Sequence, residues 1–548
     1  VMKELKRLVN AKMIDMTKEQ APYLGTIEME DGKILRIVRQ DTFVETTGQD
    51  DVLNVQGHYV IPGMIDTHSH ILMGSVQTPF PSCDSYDSIE ALVVSIRARL
   101  SEITLTPNGW LKIVGYTAEQ FTEQRHPTRH DLDQISRDIP ILLEHASFHA
   151  VVLNTAGLER VGIGLTDDDP PQAFYTRDVS GALTGHICDF YSIPSAKRHS
   201  PQLAPESIAS ALAQGVASYL RAGVTELSEL NVGGLYGKSE VDGVCHFLAT
   251  PQKIRSRWTL QADTLNAYPA YRTTTHDDWA LRFRQHSKGM ATANGVKFFA
   301  DGTMNLRTAA LSSAYADGRQ APNPVLSSDE MYRQFVDFQQ RGFHLITHAI
   351  GDVAIQRTLE AYIATARYRT ANRVCRNRIE HLHTVTPTQL QLMSKYDVGG
   401  SFFTNQISVT GDLLRTTLLG AERAQQVFPT ATARACGVCY TLHADAPVTP
   451  IAPLHLMHHA CERRTSAGVQ LGASECLSRY DALAAVTCDA AALNGVPGDQ
   501  GVIRPGALAD FVCLSDNPLD LDVSLLDIDV LQTIVAGKVV YTLQGDVL

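Results

Sequence analysis

Residues 60–70 read VIPGMIDTHSH, and the fold is decided by what this run can become. It opens as an apolar stretch that can be buried on both faces, and it closes on two imidazoles, His68 and His70. In a strand, residues i and i+2 project to one side, so both rings reach one point beyond the strand's end, where a divalent metal ion can sit. Pro62-Gly63 sets a turn before the run, and Asp66 offers a carboxylate to orient an imidazole. An HxH pair alone also reads as surface or core histidines, so the rest of the chain must decide.

Seven more strand-like runs follow at residues 223–227, 257–262, 295–299, 343–348, 377–383, 398–403 and 440–445, separated by helical patterns. With the HxH strand they make eight, the number of a (β/α)8 TIM-type barrel in the α/β class. Alternating runs around Asp31-Gly32, repeated in texture at 509–514 and 533–541, predict a small β-sandwich domain built from both termini, 1–61 with 499–548. The barrel is then 62–498. Between its first two strands, residues 75 to about 215 are too long for one loop and read as an insertion, a lid or substrate wall. Within it, 88–103 is amphipathic, and 140–154 is a strand-like run with two histidines. His145, His149 and His186 have no partner at short spacing, so they read as structural or substrate-contact residues rather than metal ligands.

Barrel enzymes gather their functional groups at the C-terminal ends of the strands. Here those ends carry His68 and His70, then Lys297, His348, His381 and Asp445. Imidazoles and a carboxylate suit zinc or a similar borderline metal. Lysine joins such a set only as a carbamate, formed when a desolvated amine loses its proton and adds carbon dioxide; its two oxygens then bridge two cations. His383 has the same strand parity as His381 and stays open as a near-site or substrate residue.

Composition narrows the classes of partner. The net charge of −12 lacks long like-charge blocks, which argues against nucleic acid. No apolar run reaches about 18 residues, so no membrane span is predicted. The N-terminal stretch has no continuous apolar core or small-residue cleavage site, so a soluble, cytoplasmic protein is expected. Ten cysteines are too dilute for a disulfide scaffold, and the lone CxxC of Cys436 and Cys439 reads as packing rather than a zinc knuckle.

Together with the HxH strand, the segments GVKFFADGTMNLRTAAL (295–311), HAIGD (348–352), RIEH (378–381), HADAPV (443–448) and GALADFVCLSDNPL (506–519) resemble the amidohydrolase superfamily. Within it they resemble the YtcJ-like branch that includes N-substituted formamide deformylases. The resemblance implies a barrel, a β-sandwich from both termini, and a centre of one or two ions, usually Zn2+, with His68, His70, Lys297, His348, His381 and Asp445 as ligands. Two departures stand out: His186 and Asp189 fall where many relatives have an apolar residue and a Glu, and His443-Ala444-Asp445 replaces Gly-Ser-Asp. If its strand runs on, His443 shares a face with Asp445; a packing role is the alternative.

The chemistry expected is hydrolysis of a non-peptide C–N bond in an amide, formamide, carbamate or cyclic amide. Zinc lowers the pKa of its water to about 7 and so supplies hydroxide at neutral pH. Asp445 then acts as general base and acid, with Lys297 and His381 beside it. Arg307, His383 and His186 are the expected substrate-binding residues, Arg307 with a loop-tethering ion pair as its alternative. Tyr191, Phe402 and Phe403 read as core packing, with shaping of an apolar pocket as the alternative. Deamination, C–O hydrolysis or decarboxylation on the same scaffold is the rival chemistry, and a non-catalytic scaffold the remaining one. The expected partner is a small-molecule substrate, and a homodimer is the commonest soluble assembly.

Overall fold

The computed structural model describes residues 4–544 apart from 19–20, 46–50, 78, 171–172 and 370–375. Eight parallel strands lie side by side in chain order: β1 (Met64–Ser69), β2 (Val224–Val232), β3 (Arg255–Gln261), β4 (Ala291–Phe299), β5 (Leu345–Ala349), β6 (Arg378–His381), β7 (Gly399–Phe402) and β8 (Tyr440–Leu442). Parallel neighbours need crossovers, and helices such as Pro205–Arg221, His276–Ser287 and Ser328–Gln340 provide them, each burying one apolar stripe. Thr275, Ser327 and Thr386 start their helices with reciprocal capping boxes, which satisfy backbone N–H groups otherwise left over at a helix start.

The sheet is nearly closed, and the seam between β8 and β1 is bridged by other groups. Thr67 and Thr441 meet hydroxyl to hydroxyl at 2.8 Å. The Arg378 guanidinium crosses the barrel interior to the Thr67 carbonyl at 2.7 Å, and the Ile65 N–H donates to the Val486 carbonyl. The backbone groups of β1 thus find partners without a ladder to β8, as buried peptide groups must. Gly63 is required where the chain enters β1, because a Cβ there would lie 2.0 Å from the Thr225 hydroxyl of β2.

The chain between β1 and β2 builds its own five-stranded sheet, ordered Phe174–Arg177, Leu183–Cys188, Ala150–Leu153, Ile141–His145 and Leu111–Tyr116. Apolar clusters around Trp110 and Tyr116 cover its two faces. Ser88 caps the helix Ile89–Ala98 that packs there, while Pro205–Arg221 returns to the barrel wall. The two chain ends share one sheet, since Tyr59–Pro62 pairs antiparallel with Phe511–Leu514. That sheet is one continuous hydrogen-bonded unit, branched at Arg7–Met13, and the largely buried Arg255–Asp510 ion pair ties it to β3 at 2.6 Å. Among the described residues no helix is long and apolar enough to cross a membrane.

Candidate metal centre

Three side chains from two strand ends share one point. His68 is fully buried, and its Nδ1 lies 2.5 Å from Glu380 Oε2. A carboxylate only accepts, so Nδ1 carries the hydrogen and Nε2 keeps its lone pair. That Nε2 faces Asp445 Oδ1 at 3.1 Å. His70 repeats the arrangement: Nδ1 lies 3.3 Å from Glu229 Oε1, and Nε2 lies 3.2 Å from the same Asp445 oxygen. Among the described residues neither His68 Nε2 nor Asp445 Oδ1 meets a partner in hydrogen-bond geometry. A proton or a cation must lie among groups at such distances, and as three convergent donors His68, His70 and Asp445 fit a metal ion. The glutamates behind the rings complete the carboxylate–histidine–metal pattern.

A second trio shares His68 and adds His381 and His443. His381 Nδ1 lies 3.3 Å from His443 Nε2, and His443 Nδ1 lies 2.7 Å from the Ser401 hydroxyl. The His443 ring is stacked between His68, at 4.4 Å, and Phe403, at 5.0 Å. His348, 4.4 Å from the His381 ring, donates its Nε2–H to the Gly302 carbonyl at 2.9 Å, which leaves Nδ1 as its lone-pair nitrogen. Lys297 is buried and lines the same cavity.

Electrostatics sort these groups. Burial pulls the Lys297 ammonium down to about 8 even though Glu380 and Asp445 oppose it. About a tenth of the amine is therefore neutral at pH 7. Burial would raise the Glu380 carboxyl, but Arg378 and His68 outweigh it and hold it at about 2. Burial would likewise lower His70, yet Asp445 and Glu229 lift it to about 9. His348, His381 and His443 fall well below the usual imidazole range, chiefly through burial, so these rings are neutral donors.

The cavity at the barrel mouth brings together His70, Lys297, His348, His381 and Asp445, with His149, Asp189 and Tyr191 from the chain between β1 and β2. Three expected substrate residues do not line it. His383 leaves because β6 stops at His381, where φ turns to +76°, followed by +52° at Leu382. Its ring packs on Phe428 at 4.5 Å, and burial lowers it to about 3. His186 sits in the five-stranded sheet, stacked on His126 at 4.1 Å and bonded to Thr176. Arg307 turns to Asp317 at 2.6 Å, the loop-tethering alternative. Asp66 accepts the His68 backbone N–H at 3.1 Å, so it orients the backbone and neither ring.

Sequence reading missed Glu229, Glu380 and Asp301. Glu380 was visible inside RIEH, two residues from Arg378 on the same strand face. Glu229 lay beyond the expected end of the second strand, which runs on to Val232. Asp301 accepts N–H groups from Ala310, Ile350 and Gly351 and so locks the loops after β4 and β5. It stood within FADGT without a spacing signal.

The amidohydrolase family profile matches residues 51–541. This chain belongs to the amidohydrolase family. It is 24% identical to the putative amidohydrolase YtcJ of Bacillus subtilis over 95% of this chain and 97% of that protein. It is 26% identical to the N-substituted formamide deformylase of Arthrobacter pascens over 94% of each. Among solved structures, an uncharacterized metal-dependent hydrolase from Pyrococcus horikoshii shares the fold with a TM-score of 0.72 at 21% identity, covering 95% of this chain and 99% of that one.

Proposed function

We propose that the amidohydrolase hydrolyses a non-peptide C–N bond in a small molecule, an amide, formamide, carbamate or cyclic amide, with Asp445 as general base and acid. The observation that carries this reading is the convergence of two glutamate-backed imidazole nitrogens on one Asp445 oxygen, at 3.1 and 3.2 Å. His68, His70, His348, His381, Asp445 and a carbamylated Lys297 would hold one or two divalent ions, zinc being the natural choice for this donor set. A bound ion supplies a Lewis acid for the substrate carbonyl and acidifies the attacking water.

The residues of the chain do the rest. Asp445, three residues past the end of β8, has a left-handed conformation, φ +52°, which turns its carboxylate toward the β1 histidines. Held ionised by those imidazoles, it takes the proton of the attacking water and returns it to the leaving nitrogen. Lys297 needs a neutral amine to add carbon dioxide, and its burial supplies that form near neutral pH. The formamide deformylase among the relatives supports a C–N bond as the target.

The test is metal content by elemental mass spectrometry for wild type and Lys297→Ala, followed by a panel of amides and formamides. Close to two ions, falling to one or none in the variant, supports a lysine-bridged pair. One ion unchanged by the substitution removes Lys297 from the ligand set. Absence of metal after zinc is supplied, or turnover only of esters or aminopurines, overturns the C–N hydrolase reading.

A further inference from the structure

The chain between β1 and β2 delivers a second histidine–carboxylate pair to the cavity, facing the metal centre. Strand Ala150–Leu153 runs antiparallel to Leu183–Cys188 with Ala150 opposite Cys188. One more step of that register sets His149 opposite Asp189, and the Asp189 N–H donates to the His149 carbonyl at 2.5 Å. The side chains repeat the pairing, with His149 Nδ1 2.7 Å from Asp189 Oδ1. Two non-glycine residues with left-handed backbones, Phe148 at φ +62° and Asp189 at φ +55°, frame the pair. Such strain persists where the surrounding structure imposes it, and here it turns both side chains toward the barrel mouth. The Ser147 hydroxyl braces the turn, since it accepts the His149 N–H and pairs with His145 Nδ1.

The tautomer follows from the partner. Asp189 accepts, so Nδ1 carries the hydrogen and Nε2 is the nitrogen left to accept. Nε2 has no protein partner among the described residues, and the ring lies 5.6 Å from that of His348. The cavity therefore has on its floor the donors that would hold a carbonyl-binding ion, and on its roof a fixed acceptor. In a trans secondary amide the carbonyl oxygen and the N–H point in opposite directions. With the oxygen toward the floor, the N–H faces the roof.

We propose that His149, held in one tautomer by Asp189, binds the N–H of the scissile amide, so that the enzyme selects N-monosubstituted over N,N-disubstituted substrates. This rests on the C–N hydrolase reading above. A disubstituted nitrogen leaves Nε2 without its donor and sets an alkyl group against it; sites built around a substrate N–H discriminate strongly against analogues that lack it. Because the roof is partly open to water, the preference expected is about 10- to 100-fold in kcat/KM.

The test compares N-butylformamide with N-butyl-N-methylformamide on the metal-loaded enzyme, for wild type, His149→Phe and Asp189→Asn, with metal content measured in each. Wild type is expected to favour the first substrate by that factor. His149→Phe keeps a ring but no acceptor, and Asp189→Asn can donate to Nδ1 and move the hydrogen to Nε2; both should bring the ratio close to one with metal content intact. A wild-type ratio near one, or variants that slow both substrates by the same factor, overturns the proposal while leaving the hydrolase reading in place. Turnover of neither substrate, nor of any other amide, overturns both.

Discussion

Replacing Glu380 by Gln separates two tasks that one buried side chain performs. Its Oε2 accepts from His68 Nδ1 at 2.5 Å, and its Oε1 pairs with Arg378 Nε at 2.7 Å, both in the closed interior of the barrel. Gln preserves the shape but offers one oxygen and one NH2. With the oxygen kept on Arg378, the NH2 faces His68 Nδ1, and the ring hydrogen must move to Nε2, the nitrogen aimed at the metal site. Metal affinity is then expected to fall about 10- to 100-fold, or roughly 1.4–2.7 kcal/mol. Arg378 is left as a buried charge without its counter-ion, which costs about 3–5 kcal/mol of folding stability. Glu229→Gln is the matched control. Glu229 orients His70, but its other contacts are the N–H groups of Leu72 and Asn231, so a similar loss of affinity should accompany only about 1–2 kcal/mol of stability. Competition with a chromogenic chelator measures the first quantity, and urea unfolding of the metal-free proteins the second. Glu380→Gln chains that are destabilised yet bind metal as tightly as wild type would refute the tautomer argument.

Four further outcomes are expected. Glu380 is held at about 2 against 4.5 in the unfolded chain, so its contribution is present above pH 4.5 and is lost as the pH falls through 2; urea titrations should show roughly 3 kcal/mol of acid destabilisation that Glu380→Gln lacks. Lys297 is lowered to about 8 from 10.5, so its charge burdens the folded state below pH 8 and not above 10.5. Lys297→Met should therefore stabilise the metal-free protein by roughly 3 kcal/mol at pH 7, an advantage that fades between pH 8 and 10.5. Arg307→Ala breaks a partly exposed ion pair with Asp317 and should cost less than about 1 kcal/mol, with kcat/KM little changed. His443→Phe keeps the stack between His68 and Phe403 but removes a nitrogen from the second trio; metal analysis should show the loss of one ion if His443 is a ligand, and none if it only packs.

The barrel was legible because its signal is repetitive: apolar runs separated by helical patterns need only be counted, and errors of a few residues at each end do not change the count. The site was legible where one strand presents its ligands at period two, as in His68 and His70. It was illegible where a strand ends. Parity groups His381 with His383, but β6 points Arg378 and Glu380 inward, and His381 reaches the cavity only because its φ of +76° breaks the alternation. The same break sends His383 to Phe428. At β8 the ladder stops at Leu442, so His443 and Asp445 serve different partners despite their matching spacing.

These breaks share a physical reason. A barrel strand buries alternate side chains in the interior and the others under the helices, so a metal centre at the mouth cannot be built from parity alone. Apart from the period-two pair of β1, groups are recruited where the backbone leaves the strand, and left-handed conformations at His381, Leu382 and Asp445 do this at a cost of order 1–3 kcal/mol each. The interior layer below then carries the compensation. Arg378, Glu380 and Thr67 form one buried chain from the β1 carbonyl to the His68 ring, so the closure of the barrel and the orientation of a metal-facing imidazole depend on the same guanidinium. Substitutions at Arg378 should accordingly disturb the seam and the centre together, whereas those at Glu229 should disturb the centre alone.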